Sequence, residues 1–371
     1  MTNDQVLYLL SSTAEPYIKD ILDILALPSG FNYRFRYQFR WLTSEFQLQE
    51  QLDRLKNREV LIVHIVTEPI EGEVGKRYRI LEYIPIRKAF IIETKIMAGF
   101  VNFEFKLGDY VKFDKPFDKI KETKNPFSDQ IKSKIPLEFR EYVKNLAVLA
   151  PQINVQWLSD TITKPNDEVV VSWFNLVSYI GRLKPYKELG AVFTKLLEIT
   201  NVNTNKTIVS EEIAEELHGF RLNSANAYRI RILQRYLNAE KVDPIFKLEI
   251  TCNSKDINTI KNQALIQGGY DVLDFIISVP DVVSSRETFL YIKPDETGSR
   301  SFMVSSIIYF VKITPNIRKL CVVFGVVTSG IILAALSNNI AYVTHIPQLS
   351  TVLSVIGAII SAVSAPFFPK S

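Results

Sequence analysis

Two long apolar runs near the C-terminus constrain the fold more than any other feature of this chain. They are Leu320–Leu336 and Leu349–Phe368, and neither contains a charged residue. Each run approaches the length that an α-helix needs to cross about 30 Å of hydrocarbon at about 1.5 Å per residue. A buried helical hairpin is the alternative, but a helix in a soluble core usually keeps a polar stripe. The sequence therefore predicts a two-helix transmembrane hairpin within residues 315–371, with spans of about 320–337 and 349–368.

The basic residues around these runs predict the orientation of the hairpin. Lys312, Arg318 and Lys319 precede the first span, and Lys370 follows the second. The linking segment, residues 337–350, has no Lys or Arg. Because positive residues favour the cytoplasmic side, we expect a multi-pass protein of the inner or plasma membrane, with its head and both termini cytoplasmic. The lipid bilayer is then an expected partner.

The charge balance argues against a nucleic-acid partner. The whole chain has 44 Lys and Arg against 40 Asp and Glu, and four of the basic residues lie in the last 71 residues, which hold no acid. That leaves 40 Lys and Arg against 40 Asp and Glu in residues 1–300, so this part of the chain is formally neutral. A head without a basic surplus is a poor match for a phosphate backbone.

Small residues recur four positions apart in both runs. Gly325 and Ser329 form such a row in the first run, and Gly357 and Ser361 form one in the second. Small residues at this spacing let membrane helices approach closely. They predict helix packing within one hairpin or between hairpins of a homo-oligomer.

The head, residues 1–314, reads as a β-rich α+β protein. We predict an N-terminal small barrel or strongly bent sheet over residues 1–149, a helical connector over 150–206 and a β-sandwich-like domain over 207–314. The connector is expected to hold two helices, Val169–Gly181 and Lys187–Thr200, because apolar residues recur there at helical spacing.

The clearest strand pattern is FNYRFRYQFRW, residues 31–41, in which aromatic and polar residues alternate. Period two predicts a strand with an aromatic core face and a cationic outer face. Arg34, Arg36 and Arg40 lie on the outer face and present fork-shaped donors that suit an anionic ligand. The alternative is an outer face neutralised by acids on neighbouring strands, such as Glu82 or Glu104.

Signals for catalysis and for metal binding are weak. The only histidines, His64, His218 and His345, show no metal-ligand spacing, and the phosphate-loop and nucleophile-elbow motifs are absent from the sequence. We therefore predict no metal and no cofactor. One fragment has the residue types of a metal-dependent nuclease: Glu93 and Lys95 share a strand face, and Glu82 would supply a second carboxylate.

These observations favour a non-enzymatic, membrane-anchored protein. Its cytoplasmic head is expected to bind an anionic small ligand or a protein partner. The hairpin is expected to act as an anchor or as a membrane-perturbing effector, as in prokaryotic stress or phage defence. Two alternatives stay open: a membrane-tethered nuclease that uses Glu93 and Lys95, and a passive membrane scaffold.

Overall fold

The computed structural model describes the greater part of the head and six residues beyond it. The residues described are 5–12, 18–43, 46, 48–69, 78–113, 127–137, 145–159, 167–183, 191–214, 217–237, 246–261, 263–266, 270–294, 303–304, 307–316, 325–326 and 328–329. Strands dominate this part of the chain, as the alternating patterns predict.

The N-terminal sheet has seven strands. They are β1 (Gln5–Ser12), β2 (Asn32–Gln38), β3 (Glu59–Pro69), β4 (Tyr78–Met97), β5 (Phe100–Val111), β6 (Asn145–Pro151) and β7 (Trp157–Leu158). Their order is β2-β5-β4-β3-β1-β6, and β7 pairs with β5 beside that path. Strands β1 and β3 are parallel, and the other pairs are antiparallel. A single bridge from Leu42, which follows β2, to Ala147 on β6 joins the two ends of the path. The sheet thus curves back on itself.

Strand β2 is shorter than its sequence pattern predicts. Phe35 and Tyr37 are buried and Arg34 and Arg36 are exposed, as the alternation requires. The strand ends at Gln38, however, and Phe39–Trp41 form a 3-10 turn. The cause lies in the partner strand, because β5 begins at Phe100, directly opposite Gln38. Beyond that pair β5 offers no further strand residue, and after one bond from Phe39 N to Gly99 O the chain turns.

Four α-helices accompany the sheets in the described residues. They are α1 (Ile18–Ala26), α2 (Gln49–Asp53), α3 (Ser128–Lys134) and α4 (Asp167–Ile180). Helix α1 buries a continuous apolar stripe that includes Ile21, Leu22 and Leu25. This helix contacts the first sheet as well as β8 (Ala191–Asn201), the first strand of a second domain within residues 191–314. It therefore lies where the two β domains meet.

A fully buried arginine fixes the end of α1. The Arg87 guanidinium on β4 donates to the carbonyl oxygens of Ile24 and Leu27, at 2.9 and 2.6 Å. It also donates to Gly108 O, to the Ser29 hydroxyl and to the Tyr110 hydroxyl. The last carbonyls of a helix have no partner within the helix and carry partial negative charge. Arg87 satisfies them and is stabilised by them in return.

Two further side chains complete this arrangement, which we call the Arg87 cluster. The Trp173 indole of α4 donates to Leu25 O at 2.9 Å, and the Tyr110 hydroxyl lies 2.9 Å from the same oxygen. The Lys195 ammonium of β8 lies 4.4 Å from the centre of the Tyr110 ring. The cluster thus joins α1, the first sheet, α4 and the second domain.

The second domain is a sandwich of two sheets. Its remaining strands are β9 (Ser210–Ala214), β10 (Leu217–Asn223), β11 (Asn226–Leu237), β12 (Phe246–Cys252), β13 (Asn258–Lys261), β14 (Gln263–Ile266), β15 (Tyr270–Val279), β16 (Arg286–Pro294), β17 (Met303–Val304) and β18 (Ile307–Thr314). One sheet has the order β14-β12-β16-β18-β10-β9, and the other β13-β15-β11-β8-β17. Alternate residues such as Ile230, Phe275, Ile292 and Val311 are buried in one common core.

The helix predicted over Lys187–Thr200 is wrong, because β8 occupies most of that range. β8 pairs with β11 from Ala191 to Asn201, and the register shifts between Arg231 and Ile232 of β11. That bulge skips Leu197. Residues 192–196 are all buried, so this strand is covered on both faces and its apolar residues do not alternate. The other predicted helix corresponds to α4.

The helices of the structure contradict the predicted transmembrane hairpin. Among the residues described, no helix combines the length and the apolar character needed to cross a membrane. The longest, α4, has 14 residues and opens with two acids. The fold class that we predicted, with its membrane spans and multi-pass membrane location, is therefore not what the structure shows. The predicted spans, about 320–337 and 349–368, lie outside the described residues apart from residues 325, 326, 328 and 329.

We expect Arg87→Met to lower the free energy of unfolding by about 3–5 kcal/mol, because it leaves buried carbonyl oxygens without donors. Urea denaturation followed by circular dichroism measures this change. The control is Arg34→Met, at an exposed arginine, which we expect to change stability by about 0.5 kcal/mol at most. Equal effects of the two substitutions would contradict the role assigned to the Arg87 cluster.

Candidate ligand-binding cleft

A cleft whose lining residues are mostly of polar type lies at one end of the sandwich. Its volume is about 520 Å³, within the range of roughly 300–1,000 Å³ of small-molecule sites. The cleft forms where β10 and β18 end and where β11 and β16 begin. Its lining residues are Arg221, Asn223, Asn226, Ser285, Thr314, Pro315 and Asn316. None of them is an acid.

The tight turn from β10 to β11 forms one wall of the cleft. Ala225 in this turn has φ of +57°, which is the left-handed region. The Asn226 amide donates to Ser224 O at 3.0 Å, and the Tyr228 hydroxyl accepts from Asn223 N at 2.7 Å. These bonds hold the turn in one conformation, so the wall of the cleft is preformed.

The cleft presents hydrogen-bond donors that the fold leaves available. Arg221 forms an ion pair with Glu211 through Nε, and within the described part of the chain its two terminal nitrogens make no further hydrogen bond. Asn223 accepts from the Thr314 hydroxyl through Oδ1, which leaves its Nδ2 without a described partner. Ser285 is exposed at the rim. Guanidinium, amide and hydroxyl donors without a lining carboxylate suit an oxyanion such as a carboxylate or a phosphate.

The arginines predicted as a binding face lie elsewhere. Arg34 is 63% exposed and forms an ion pair with Glu104 at 3.3 Å. The Arg36 guanidinium lies 4.6 Å from the centre of the Phe100 ring. Arg40 belongs to the 3-10 turn and not to the strand, so it does not continue their row. The structure thus pairs this outer face with an acid and an aromatic ring, while the arginine in the cleft is Arg221.

The residues of the nuclease alternative do not converge. Glu93 and Lys95 form an exposed ion pair at 2.7 Å. Glu82 lies eleven positions earlier on β4, roughly 35 Å along an extended strand, and it accepts a hydrogen bond from the Tyr179 hydroxyl. Across the residues that the structure describes, no three His, Cys, Asp or Glu side chains gather as a metal site. The geometry gives the nuclease alternative no support.

The small-residue rows fall mostly outside the described residues. Gly357 and Ser361 are not described, while the Ser329 hydroxyl donates to Gly325 O at 2.6 Å. Apart from Gly325 itself, its chain neighbours and the backbone of its own helix, no described atom lies within 4 Å of the position that a Cβ on Gly325 would take. The predicted close packing at Gly325 therefore involves none of the described residues.

The two described histidines lie in different environments. His64 is fully buried, and its Nδ1 lies 3.1 Å from Ser11 O; burial lowers the pKa of this imidazole to about 4. His218 packs against Gly30 at the junction of the two domains, where burial lowers its pKa, and Glu212 lies 3.9 Å away. His345 lies outside the described residues. The surroundings of neither described histidine indicate a catalytic or metal-binding role.

A pair of acids on α1 shares one tyrosine. The Tyr33 hydroxyl lies 3.0 Å from Asp20 Oδ1 and 3.2 Å from Asp23 Oδ2. A phenol has one proton to donate, so both contacts become hydrogen bonds only when one carboxyl is protonated. Burial raises the pKa of Asp20 to about 6 and that of Asp23 to about 7. The sequence alone gave no sign of this pair.

Comparison with known proteins does not show a family for this chain. No family model matches it, and no curated protein matches it. Among solved structures, a Bacteroides ovatus GH5 xyloglucanase in complex with an XXXG heptasaccharide shows local similarity at 14% identity and a TM-score of 0.16. That match covers 26% of this chain and 17% of the xyloglucanase chain. So low a score establishes neither a shared fold nor a shared function.

The acid pair predicts a pH dependence of stability. A raised pKa in the folded state means that Asp23 contributes stability that is greatest below its unfolded pKa near 3.8 and is lost as the pH rises through about 7. Between pH 5 and pH 8 we expect the wild type to lose stability relative to Asp23→Asn, by at most about 1.4 kcal/mol per pH unit. Urea denaturation of both proteins at several pH values measures the difference. A constant difference over this range would contradict the raised pKa.

Proposed function

We propose that this chain is a ligand-binding protein rather than an enzyme, and that its ligand is a small molecule bearing an oxyanion. The observation that carries the proposal is the cleft at the end of the sandwich. It has the volume of a small-molecule site, and it is lined by the Arg221 guanidinium and by amides and hydroxyls without an acid.

Two features of the cleft support binding over a purely structural role. The Glu211 pair engages only Nε of Arg221, so the terminal nitrogens remain able to bind a carboxylate or phosphate in two-point fashion. The turn of residues 223–226 is fixed by its own hydrogen bonds, so a ligand meets a formed wall and spends little binding energy on ordering it.

The charges around the cleft are paired, so the electrostatic field in the cleft is weak. On the same face of the sheet, Glu211 pairs with Arg221, and Lys312 pairs with Glu287 at 3.2 Å. Arg221 and Lys312 are neighbours on the parallel strands β10 and β18. The face is balanced overall, so selectivity for an oxyanion comes from the free donors at short range and not from long-range attraction.

The test is calorimetric titration of the full chain with inorganic phosphate, acetate and glucose. We expect the two oxyanions to bind and glucose not to bind. Arg221→Gln removes the charged donors and should weaken phosphate binding by about 10- to 100-fold, since a hydrogen bond to a charged group contributes about 1.5–3 kcal/mol.

The matched control is Arg34→Gln, an exposed arginine that is likewise paired with one glutamate. It should leave phosphate affinity unchanged. Equal affinity of the wild type and Arg221→Gln for phosphate would overturn the proposed site. Binding of glucose without binding of either oxyanion would overturn the proposed ligand class.

A further inference from the structure

The cleft shares a wall with the exit of the C-terminal part of the chain. Thr314, Pro315 and Asn316 line the cleft and are also the residues through which β18 passes into residues 317–371. A ligand in the cleft therefore meets the attachment point of everything that follows. No other stretch of three consecutive residues contributes to the described lining of this cleft.

Three hydrogen bonds hold this exit against the turn from β10 to β11. Ser224 N donates to Thr314 O at 2.8 Å, and Asn316 N donates to the Ser224 hydroxyl at 3.0 Å. The Thr314 hydroxyl donates to Asn223 Oδ1 at 2.9 Å. We call these three bonds the exit latch. Ser224 is fully buried, so water competes little for its two bonds.

The topology explains why latch and cleft coincide. β10 and β18 are parallel, with Asn223 beside Thr314, so both strands end at the same edge of the sheet. One strand continues into the turn that forms a cleft wall, and the other continues into the C-terminal part. Because Pro315 has no backbone N–H, Asn316 supplies the first backbone donor beyond β18. That donor is the one that bonds Ser224.

We infer that an oxyanion bound in the cleft holds the exit latch closed and thereby controls how the chain beyond Asn316 leaves the sandwich. This inference rests on the proposed function of the cleft. The physical reason is linkage: a ligand that contacts Arg221 and residues 314–316 together binds the closed latch in preference to the open one. The open population then falls by a factor of one plus the ligand concentration over Kd.

The sequence supplies a reporter for the open latch. Arg318 and Lys319 follow Asn316 by two and three positions, and trypsin cleaves after both residue types. Cleavage there requires the neighbouring backbone to leave the latch and extend into the protease. Lys56, in an exposed turn of the first domain, serves as an internal reference because it lies on a different domain.

The experiment is limited trypsin digestion of the full chain with and without inorganic phosphate, with products identified by mass spectrometry. At ten times the Kd measured by calorimetry, phosphate should slow cleavage after Arg318 and Lys319 by about tenfold relative to cleavage after Lys56. The Ser224→Ala substitution removes the hydroxyl that accepts a hydrogen bond from Asn316 N. Ser224 itself is not among the lining residues of the cleft. In the absence of phosphate, Ser224→Ala should increase the rate of cleavage after Arg318 severalfold. The control Ser133→Ala, at an exposed serine, should leave that rate unchanged.

The outcomes separate this inference from the proposed function. If phosphate binds but leaves the relative cleavage rate unchanged, the inference is overturned and the binding site stands. Equal protection at Lys56 and Arg318 also overturns it, because it indicates general stabilisation. Absence of binding of both phosphate and acetate overturns the inference and the proposed function together. An unchanged cleavage rate in Ser224→Ala shows that the latch does not hold the exit.

Discussion

The buried Arg87 guanidinium is the interaction on which the arrangement of the domains depends. A charge without a carboxylate partner among the described residues is tolerated in a protein interior only if every donor finds an oxygen. Here the oxygens come from the end of α1, where helix geometry leaves carbonyls without partners, and from Gly108, Ser29 and Tyr110. Because Trp173 and Lys195 reach the same place, the position of α1 determines how the first sheet, α4 and the sandwich meet.

The parallel pairing of β10 and β18 has the corresponding role at the far end of the sandwich. It brings the β10–β11 turn and the exit of β18 to one edge, and the cleft is the space between them. The cleft and the exit latch are therefore consequences of one strand pairing. In the proposed function, a ligand in this cleft would contact the exit of the chain directly, so the proposed coupling needs no long-range pathway.

The sequence predicted several elements correctly and missed others for identifiable reasons. Alternation predicted β2 and its buried aromatic face, but the length of β2 was set by where β5 begins. Helical spacing predicted α4 correctly and β8 wrongly, because residues 192–196 of β8 are buried on both faces and therefore do not show the alternation of a strand. The arginine row was visible as a pattern, whereas Arg221 stands alone in the sequence. Only the pairing of β10 with β18, whose Asn223 and Thr314 are 91 residues apart, places Arg221 in a cleft.

By itself, the sequence determined which residues alternate, which segments are apolar and that the head is nearly neutral, because these properties belong to neighbouring residues. It did not determine which strands pair, where a strand ends, or which polar side chains meet. Those depend on contacts between distant segments, as with Arg87 and the end of α1, or Tyr33 between Asp20 and Asp23. The composition of the two apolar C-terminal runs predicted membrane helices; the runs lie almost entirely outside the described residues, among which no helix is long and apolar enough to cross a membrane. Local composition specifies what a segment prefers, and the tertiary contacts decide what it becomes.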